Sequence, residues 1–437
     1  MNRSQQPSLA ILDVLIIVMA KWYLLVDASN GIVLSAFGVS LPLSAAYKSA
    51  LLVLIGCALA RHQLSKLAAI LALIPLLLAG PFYSALHTSN LAGFSYDTGM
   101  VLKLLSPLLA AVYFYYFSQR HPVAAKLALH QIMLTSFAIL FINILLGRLG
   151  FGFAAYLPND YFPDLNLGTK GFFKATNELS ALLLVLSGYL FAYYWPQCKW
   201  RFLLCVALAW FIASAMLTKT GLMGVLLLAI GVPLLQSRRY WLPYQRWVIA
   251  ALFVSVVCAA LLLWQLPLIL QTFGVGQKLQ LTYQQQGLLG VILSSRDVFA
   301  AENWDLAELY FSDWHRLIGI GVAGLGLYAQ KPLAEIDPFD LLLWFGTFGL
   351  AYYVLWFVMV IRQSLWGYLT QPDSVIAGLL FINLLLLLVA SMAGHTMTSG
   401  MLWIPWGMFN GAVWIYAQQQ NAPAEQLHSD TSKAVRQ

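Results

Sequence analysis

Ionisable side chains near the ends of long apolar segments are the residues of this sequence with the clearest chemical potential. Charged groups inside a membrane are costly and usually face a cavity or a partner. A single lysine near a helix end is explained when its side chain reaches the interface. Lysines from several segments, together with a glutamate and a histidine at the same level, favour a shared polar site instead. The residues expected at this level are Lys21, Lys103, Lys170, Lys174, Lys219, Glu178 and His395.

Two of these residues lie in local patterns that suit an anionic ligand. The stretch 217–221 reads Leu-Thr-Lys-Thr-Gly, so hydroxyls flank Lys219 in a turn that separates two apolar segments. The hydroxyls and the flexible glycine backbone are predicted to help the lysine hold an anion. Lys174, Asn177 and Glu178 fall about one helical turn apart, which predicts that they share one face at the start of a helix.

A carboxylate-rich stretch ends the longest polar interruption of the chain. Asp337 precedes Pro338, a pattern typical of a helix start, so Asp337 is predicted to cap the helix and Asp340 to lie near its third position. Glu335 gains nothing from capping. A carboxylate held beside a helix start and near Arg296 is therefore a candidate general base, and a solvated loop charge is the alternative interpretation.

His395, in the stretch 393–400, is a second candidate base at the same surface. Its alternative interpretation is an interfacial histidine that bonds to a hydroxyl. The glycine spacing over 318–326 has the look of a nucleotide-binding loop, but no alternation of strands and helices surrounds it. Close packing of this loop backbone onto helices is the better interpretation.

The composition excludes a soluble globular enzyme. Hydrophobic residues make up 61% of the 437-residue chain and charged residues only 9%, whereas soluble domains carry roughly a quarter charged residues. Apolar runs of about twenty residues indicate helices, not the short strands of a barrel. The predicted fold class is all-α, a polytopic integral membrane protein with about twelve transmembrane helices. Their predicted extents are 8–25, 44–60, 67–84, 98–117, 127–147, 174–195, 202–217, 220–236, 247–268, 338–361, 374–393 and 400–417, and the apolar stretch 31–43 is predicted to be interfacial or re-entrant.

Basic residues on alternate connections set the predicted orientation. Because lysine and arginine favour the cytoplasmic side, both termini are predicted to be cytoplasmic and the large loop to face outward.

Short helices are predicted in that loop. One of them covers 294–311, with Phe299, Leu306 and Tyr310 on one face, and is predicted to cover a cavity between the spans. None of the four cysteines lies in the loop, and no metal site is predicted. The predicted divisions are transmembrane helices over 1–268, the large periplasmic loop over 269–337, further transmembrane helices over 338–417 and a disordered cytoplasmic tail over 418–437.

The order of these features resembles the O-antigen polymerase and ligase superfamily of bacterial envelope polysaccharide synthesis. The resemblance covers most of the chain and rests on the topology, with one large outward loop between the ninth and tenth predicted spans. Short motifs accompany it, at 171–177 (Gly-Phe-Phe-Lys-Ala-Thr-Asn), 217–221, 295–297 (Ser-Arg-Asp), 319–321 (Gly-Ile-Gly), 335–340 (Glu-Ile-Asp-Pro-Phe-Asp) and 345–349 (Phe-Gly-Thr-Phe-Gly).

The resemblance implies a metal-independent glycosyltransferase of the bacterial inner membrane that uses no cofactor. Its substrate would be an oligosaccharide linked to undecaprenyl diphosphate, in contact with the lipid bilayer, and a chain-length regulator is an implied protein partner; no nucleic acid is expected. Lys219 and Arg296 would hold the diphosphate, assisted by Lys174 and Lys170. The implied supporting residues are Asn177, Glu178 and Lys103, and the implied catalytic residues are Glu335, His395 and Asp337.

Three functions remain open from the sequence. Ligases of this superfamily generally place a histidine shortly before the span that follows the large loop, where this chain has Glu335-Ile-Asp337. This departure favours a polymerase that adds glycan to the non-reducing end of a second lipid-linked repeat unit. The first alternative is a ligase that transfers glycan to lipid A-core. The second is a polysaccharide flippase or transporter, in which charged residues are expected near the midplane of the membrane.

Overall fold

The protein, described by a computed structural model over residues 9–156, 167–237, 296–311, 313–371 and 374–417, is almost entirely helical. In the first two ranges the helices are α1 (Ile11–Phe37), α2 (Leu43–His62), α3 (Leu64–Leu71), α4 (Leu73–His87), α5 (Leu91–Arg120), α6 (Pro122–Arg148), α7 (Thr176–Gln197), α8 (Lys199–Met216) and α9 (Lys219–Gln236). In the remaining ranges they are α10 (Arg296–Tyr310), α11 (His315–Ile318), α12 (Gly321–Leu325), α13 (Asp337–Thr370), α14 (Ile376–Met392), α15 (Trp403–Gly411) and α16 (Val413–Ala417).

The chain is a multi-pass membrane protein of the all-α class. Within the described ranges, eight helical segments are long and apolar enough to cross a membrane. The predicted number of about twelve spans is therefore not confirmed. The predicted span 247–268 lies outside the described residues, 374–393 corresponds to a 17-residue apolar helix, and 400–417 is divided between α15 and α16.

The buried centre of the bundle is α7. Every residue from Leu179 to Ala192 is buried, a pattern expected for a helix surrounded by other helices on all sides. α6, α8, α9 and α14 all contact it. α7 therefore provides a rigid support for the residues at its own start.

The two ends of the bundle differ in what they carry. α7, α9 and α13 begin at one end, where α14 finishes, as contacts between Asn177 and Glu335 and between Thr218 and Ser180 show. We call this the loop end. At the opposite end α7 finishes and α8 begins, and the basic residues Lys199 and Arg201 lie there. Side chains at the loop end and the opposite end therefore belong to separate surfaces.

A short hairpin connects α6 to α7 at the loop end. Its strands, β1 (Phe153–Tyr156) and β2 (Leu167–Gly171), are antiparallel. The amide of Asn143, on α6, donates to the Lys170 carbonyl at 3.2 Å and accepts from the Phe172 backbone N–H at 3.0 Å. This clamp fixes the chain that leads into the start of α7.

The first helix is longer than the sequence predicted, and this corrects the depth of Lys21. α1 continues to Phe37, so part of the stretch 31–43, predicted to be interfacial or re-entrant, extends the helix. Lys21 consequently lies in the interior of α1, and Lys103 lies in the interior of α5, both well away from the helix ends. Both helices extend beyond the apolar runs from which their ends were predicted, so apolar length alone misplaced these lysines.

The glycine-rich loop packs closely on helices, as its spacing predicted. Gly319 has a φ of 81°, and a Cβ there would overlap the backbone carbonyl of Trp344. Gly346 interrupts helical geometry inside α13 (φ 63°, ψ −154°) and sits against the Leu317 carbonyl. The Asp97 carboxylate accepts the backbone N–H groups of Val322 and Ala323, in the first turn of α12, at 2.8 and 3.1 Å. The loop between α10 and α13 is thereby fixed to the transmembrane helices.

Candidate functional site

Arg296 and Glu335 form the centre of the site at the loop end. Arg296 is the first residue of α10, and its Nε and Nη2 atoms donate to Glu335 Oε2 at 3.1 and 2.9 Å. Its Nη1 also donates to the Met392 carbonyl at 3.4 Å. Both side chains are largely buried, with 13% and 20% of their areas exposed. Hydrogen bonds from Arg296 therefore connect the start of α10 to the end of α14 and to the segment before α13.

Two further polar groups complete the surroundings of the Glu335 carboxylate. Lys331 Nζ lies 3.3 Å from Oε1, and Asn177 Nδ2 donates to Oε2 at 3.0 Å. Arg296 and Lys331 thus both lie within ion-pairing distance of this carboxylate. Clustered cations of this kind can attract an anionic group from solution.

The pKa of Glu335 reflects this environment. Burial alone would raise it, but the positive charges of Lys331 and Arg296, the hydrogen bonds from Arg296 and the nearby His395 outweigh burial. The pKa is therefore lowered from its ordinary value, and Glu335 is an anion at neutral pH. While it remains paired, Glu335 is a weak proton acceptor and a good anchor for Arg296.

The backbone at Glu335 is held in an unusual conformation. Its φ is 65°, a left-handed value that costs a residue with a side chain about 1–2 kcal/mol. The Asp340 carboxylate compensates by accepting the backbone N–H groups of Ala334 and Glu335 at 3.0 and 2.9 Å. Strain of this kind is found where a structure must hold one side chain in place.

Asp337 fixes the turn that carries His395 and does not cap its own helix. α13 begins at Asp337 with no side-chain cap bond, which corrects the predicted role. The buried carboxylate instead accepts the backbone N–H groups of His395, Thr396 and Met397 at 2.6, 2.9 and 3.0 Å. His395 is half-buried with a φ of 60°. These hydrogen bonds join segments about sixty residues apart in the sequence. The local pattern of residues at a helix start does not reveal such a contact.

Gly394 allows the two carboxylate-bearing segments to approach each other. Its φ is 56°, and a Cβ would overlap the backbone of Glu335. Gly394→Ala should therefore lower the free energy of unfolding by about 2–4 kcal/mol, through overlap and left-handed strain together. The measurement is the apparent melting temperature of the purified protein in detergent.

Gly38→Ala is the matched control for this substitution. Gly38 also has a positive φ, 68°, but nothing lies within 4 Å of a Cβ built there. Gly38→Ala should therefore lower the free energy of unfolding only by the cost of the left-handed backbone, about 1–2 kcal/mol. Equal losses from both substitutions would show that the close approach to Glu335 contributes nothing.

The turn between α8 and α9 adjoins the same site through Tyr156. The Tyr156 hydroxyl donates to the Leu217 carbonyl at 3.4 Å, and this tyrosine lies close enough to Arg296 for the guanidinium to lower its pKa. Burial is the larger influence and leaves the pKa of Tyr156 raised. Lys219 follows in the turn with an exposed side chain. Lys219 and Arg296 therefore belong to neighbouring parts of one surface.

Thr218 has a structural role that differs from the predicted anion contact. Its hydroxyl accepts the Gly221 backbone N–H at 3.2 Å and so caps α9. It also shares a 2.7 Å hydrogen bond with the Ser180 hydroxyl of α7, and the residue is buried. The Thr218 hydroxyl therefore holds the turn that carries Lys219.

The other predicted residues lie around the centre and not within it. Lys174 is exposed, with Nζ 3.4 Å from the Ser40 hydroxyl. Glu178 accepts from the Ser399 hydroxyl at 2.7 Å, which joins the start of α7 to the segment after His395. Lys170, on β2, is half-buried, and burial lowers its pKa. Lys103 is exposed in the interior of α5, away from the residues that contact Glu335.

Two features of this end were missed by sequence reasoning. One is Lys331, whose position four residues before Glu335 was the available signal. The other is a buried ion pair in which Lys48 Nζ lies 2.6 Å from Asp27 Oδ2, with exposures of 14% and 7%. Ser44 also bonds to Asp27. Asp27 inside an apolar helix was visible in the sequence, but its partner on α2 was not.

The side of α10 that packs on the protein is centred on small residues. Its buried residues are Ala300, Asn303 and Ala307, and Leu306 is partly buried against the core. The Asn303 amide donates to the Lys331 carbonyl at 3.1 Å. Tyr310 remains largely exposed and stacks on Tyr328, with ring centroids 4.0 Å apart. Small residues let α10 lie close to the segment that carries Lys331.

No group of three or more histidine, cysteine, aspartate or glutamate residues in the described ranges is arranged to hold a metal ion. Comparison with known proteins gives no family assignment. No protein-family model matches the chain, and no curated protein matches it significantly.

Proposed function

We propose that the protein is a polysaccharide polymerase of the bacterial inner membrane, with its loop end on the periplasmic face. It would transfer a glycan from undecaprenyl diphosphate to the non-reducing end of another lipid-linked repeat unit. The observation that carries the proposal is the partly buried cluster in which Arg296 and Lys331 both contact the Glu335 carboxylate. Such a cluster, at one end of a bundle of membrane-spanning helices, suits a lipid whose headgroup is a diphosphate.

The cations would act on the leaving group. In the transfer, the bond between the anomeric carbon and the diphosphate oxygen breaks, and the acceptor hydroxyl oxygen forms the new glycosidic bond. Negative charge grows on the departing undecaprenyl diphosphate. Arg296, Lys331 and Lys219 would stabilise that charge more in the transition state than in the bound substrate. The planar guanidinium of Arg296 can hold two phosphate oxygens, which an ammonium group cannot do in the same geometry.

The acceptor proton would go to His395. Glu335 is held as an anion by two cations and is poorly placed to take a proton. His395 lies near Glu335 on a turn that the Asp337 carboxylate fixes through three backbone N–H groups. In this assignment Glu335 positions Arg296, and Asp337 positions His395. Asn177 helps to hold the Glu335 carboxylate by donating to the oxygen that Arg296 also contacts.

An in vitro reaction with a defined lipid-linked repeat unit tests the function. The purified protein, given undecaprenyl-diphosphate-linked repeat units alone, should produce a ladder of longer lipid-linked glycans and release undecaprenyl diphosphate. A ligase would consume repeat units only when lipid A-core is added. Transport of repeat units into liposomes with neither a ladder nor transfer to lipid A-core would overturn the proposal in favour of a transporter.

A further inference from the structure

An apolar cleft lies at the opposite end of the bundle from Glu335. Its volume is about 310 Å³, at the lower end of the range of about 300–1,000 Å³ for small-molecule sites. Its walls come from α6 and α8, with Leu134 and Phe137 on one side and Leu204 and Leu208 on the other. A cleft of this composition suits a hydrocarbon chain.

One end of the cleft is polar. Arg201, near the start of α8, and Tyr194, near the end of α7, both line it, and Arg201 lies close enough to act electrostatically on the Tyr194 hydroxyl. Within the described ranges no carboxylate lies at ion-pairing distance from Arg201. The guanidinium and the phenol can therefore both donate hydrogen bonds to one phosphate group.

The neighbouring cation does not compete for this position. Lys199 donates to the Trp195 carbonyl at 2.6 Å, and its Nζ lies 3.1 Å from the centroid of the Trp195 ring. Lys199 is thus held against Trp195, and neither residue lines the cleft. Arg201 is the cation that faces the cleft.

The cleft opens to the perimeter of the bundle. Leu134 and Leu204 are 41% and 43% exposed, and Trp200 beside Arg201 is 63% exposed. Both walls belong to helices that are long and apolar enough to cross a membrane. A tryptophan and an arginine at the end of such helices are typical of the level of the lipid headgroups. The cleft therefore faces the acyl chains of the bilayer, with its polar end at the headgroup level.

We propose that this cleft is a binding site for an anionic phospholipid. Arg201 and the Tyr194 hydroxyl would hold the phosphate, and one acyl chain would lie between α6 and α8. Basic residues at the end of a groove between transmembrane helices favour anionic over zwitterionic lipids, because each cation near the surface contributes to their attraction. The site is independent of the polymerase assignment, since it lies at the other end of α7 from Asn177 and Glu335.

Native mass spectrometry of the full-length protein in detergent tests the proposal. The protein is mixed with equal amounts of phosphatidylglycerol and phosphatidylcholine that carry identical acyl chains. The wild type should retain phosphatidylglycerol preferentially, and Arg201→Ala should reduce that preference about fivefold. Arg61→Ala, which removes an exposed cation near the end of α2, is the matched control and should leave the preference unchanged.

A second variant separates the cleft from general surface attraction. Leu208→Trp fills the apolar part of the cleft and leaves Arg201 in place, so it should reduce bound phosphatidylglycerol as strongly as Arg201→Ala does. If Arg61→Ala lowers the preference as much as Arg201→Ala, the proposal is overturned. Equal retention of the two lipids by the wild type, or unchanged retention in correctly folded Leu208→Trp protein, also overturns it.

Discussion

Replacement of Arg296 by alanine should abolish long glycan products while lipid-linked single repeat units accumulate. Arg296 makes two hydrogen bonds to Glu335 and is the planar cation of the cluster. Loss of one donor that stabilises a developing oxyanion lowers the rate by about 10²–10³-fold. The measurement is the initial rate of ladder formation from a defined lipid-linked repeat, compared with the wild type at equal protein concentration.

Two further variants make this result specific. Arg296→Lys keeps the positive charge but loses the planar guanidinium that can donate two parallel hydrogen bonds. Its rate should therefore lie between those of Arg296→Ala and the wild type. Arg316→Ala removes another arginine that pairs with a glutamate, Glu308, at 2.6 Å, but both of those side chains are well exposed. Exposed pairs contribute little, and Arg316→Ala should behave as the wild type. Normal polymer length in Arg296→Ala would contradict the proposed site.

Replacement of His395 by asparagine should lower the rate by about 10²–10⁴-fold, the usual contribution of a general base. Asparagine is chosen because it tolerates the left-handed backbone found at this position, where φ is 60°. The turn and its bonds to Asp337 should therefore persist. The measurement is the initial rate of ladder formation from a defined lipid-linked repeat, compared with the wild type at equal protein concentration.

The control for this experiment is His87→Asn. His87 is exposed in the last turn of α4, and it contacts aromatic rings without belonging to the cluster around Glu335. The variant should retain the full rate. The assignment of His395 as the proton acceptor would be wrong if His395→Asn kept the full rate.

Most of the helical segments could be predicted because their signals are local. An apolar run long enough to cross a bilayer has few alternatives to a helix, since every backbone polar group must be satisfied within it. The predicted extents 44–60 and 127–147 both lie within observed helices, Leu43–His62 and Pro122–Arg148. The extension of α1 to Phe37 was missed, because polar residues in its second half hid a helix that packs on α2 and α6.

The candidate site was predicted only in part, because its residues come from segments that are far apart in the sequence. Arg296, Asn177 and Glu335 were each identified by residue type and position, and the structure brings them into contact. The roles of Asp337 and Thr218 were not foreseen, because their partners are defined by packing. Local patterns offered a helix cap for Asp337, whereas the turn after α14 provided three better-placed donors.

The sequence by itself determined that this is a helical membrane protein with several polar residues near helix ends. The length of an apolar run and the free-energy cost of burying a charge in the membrane can both be read from each segment alone. Only the tertiary structure decided which of those residues meet. Glu335 is bonded by Arg296 from thirty-nine residues before it and by Asn177 from one hundred and fifty-eight residues before it. A buried charge requires a partner, but the sequence does not specify which charge; the packing of α7, α10, α13 and α14 selects it.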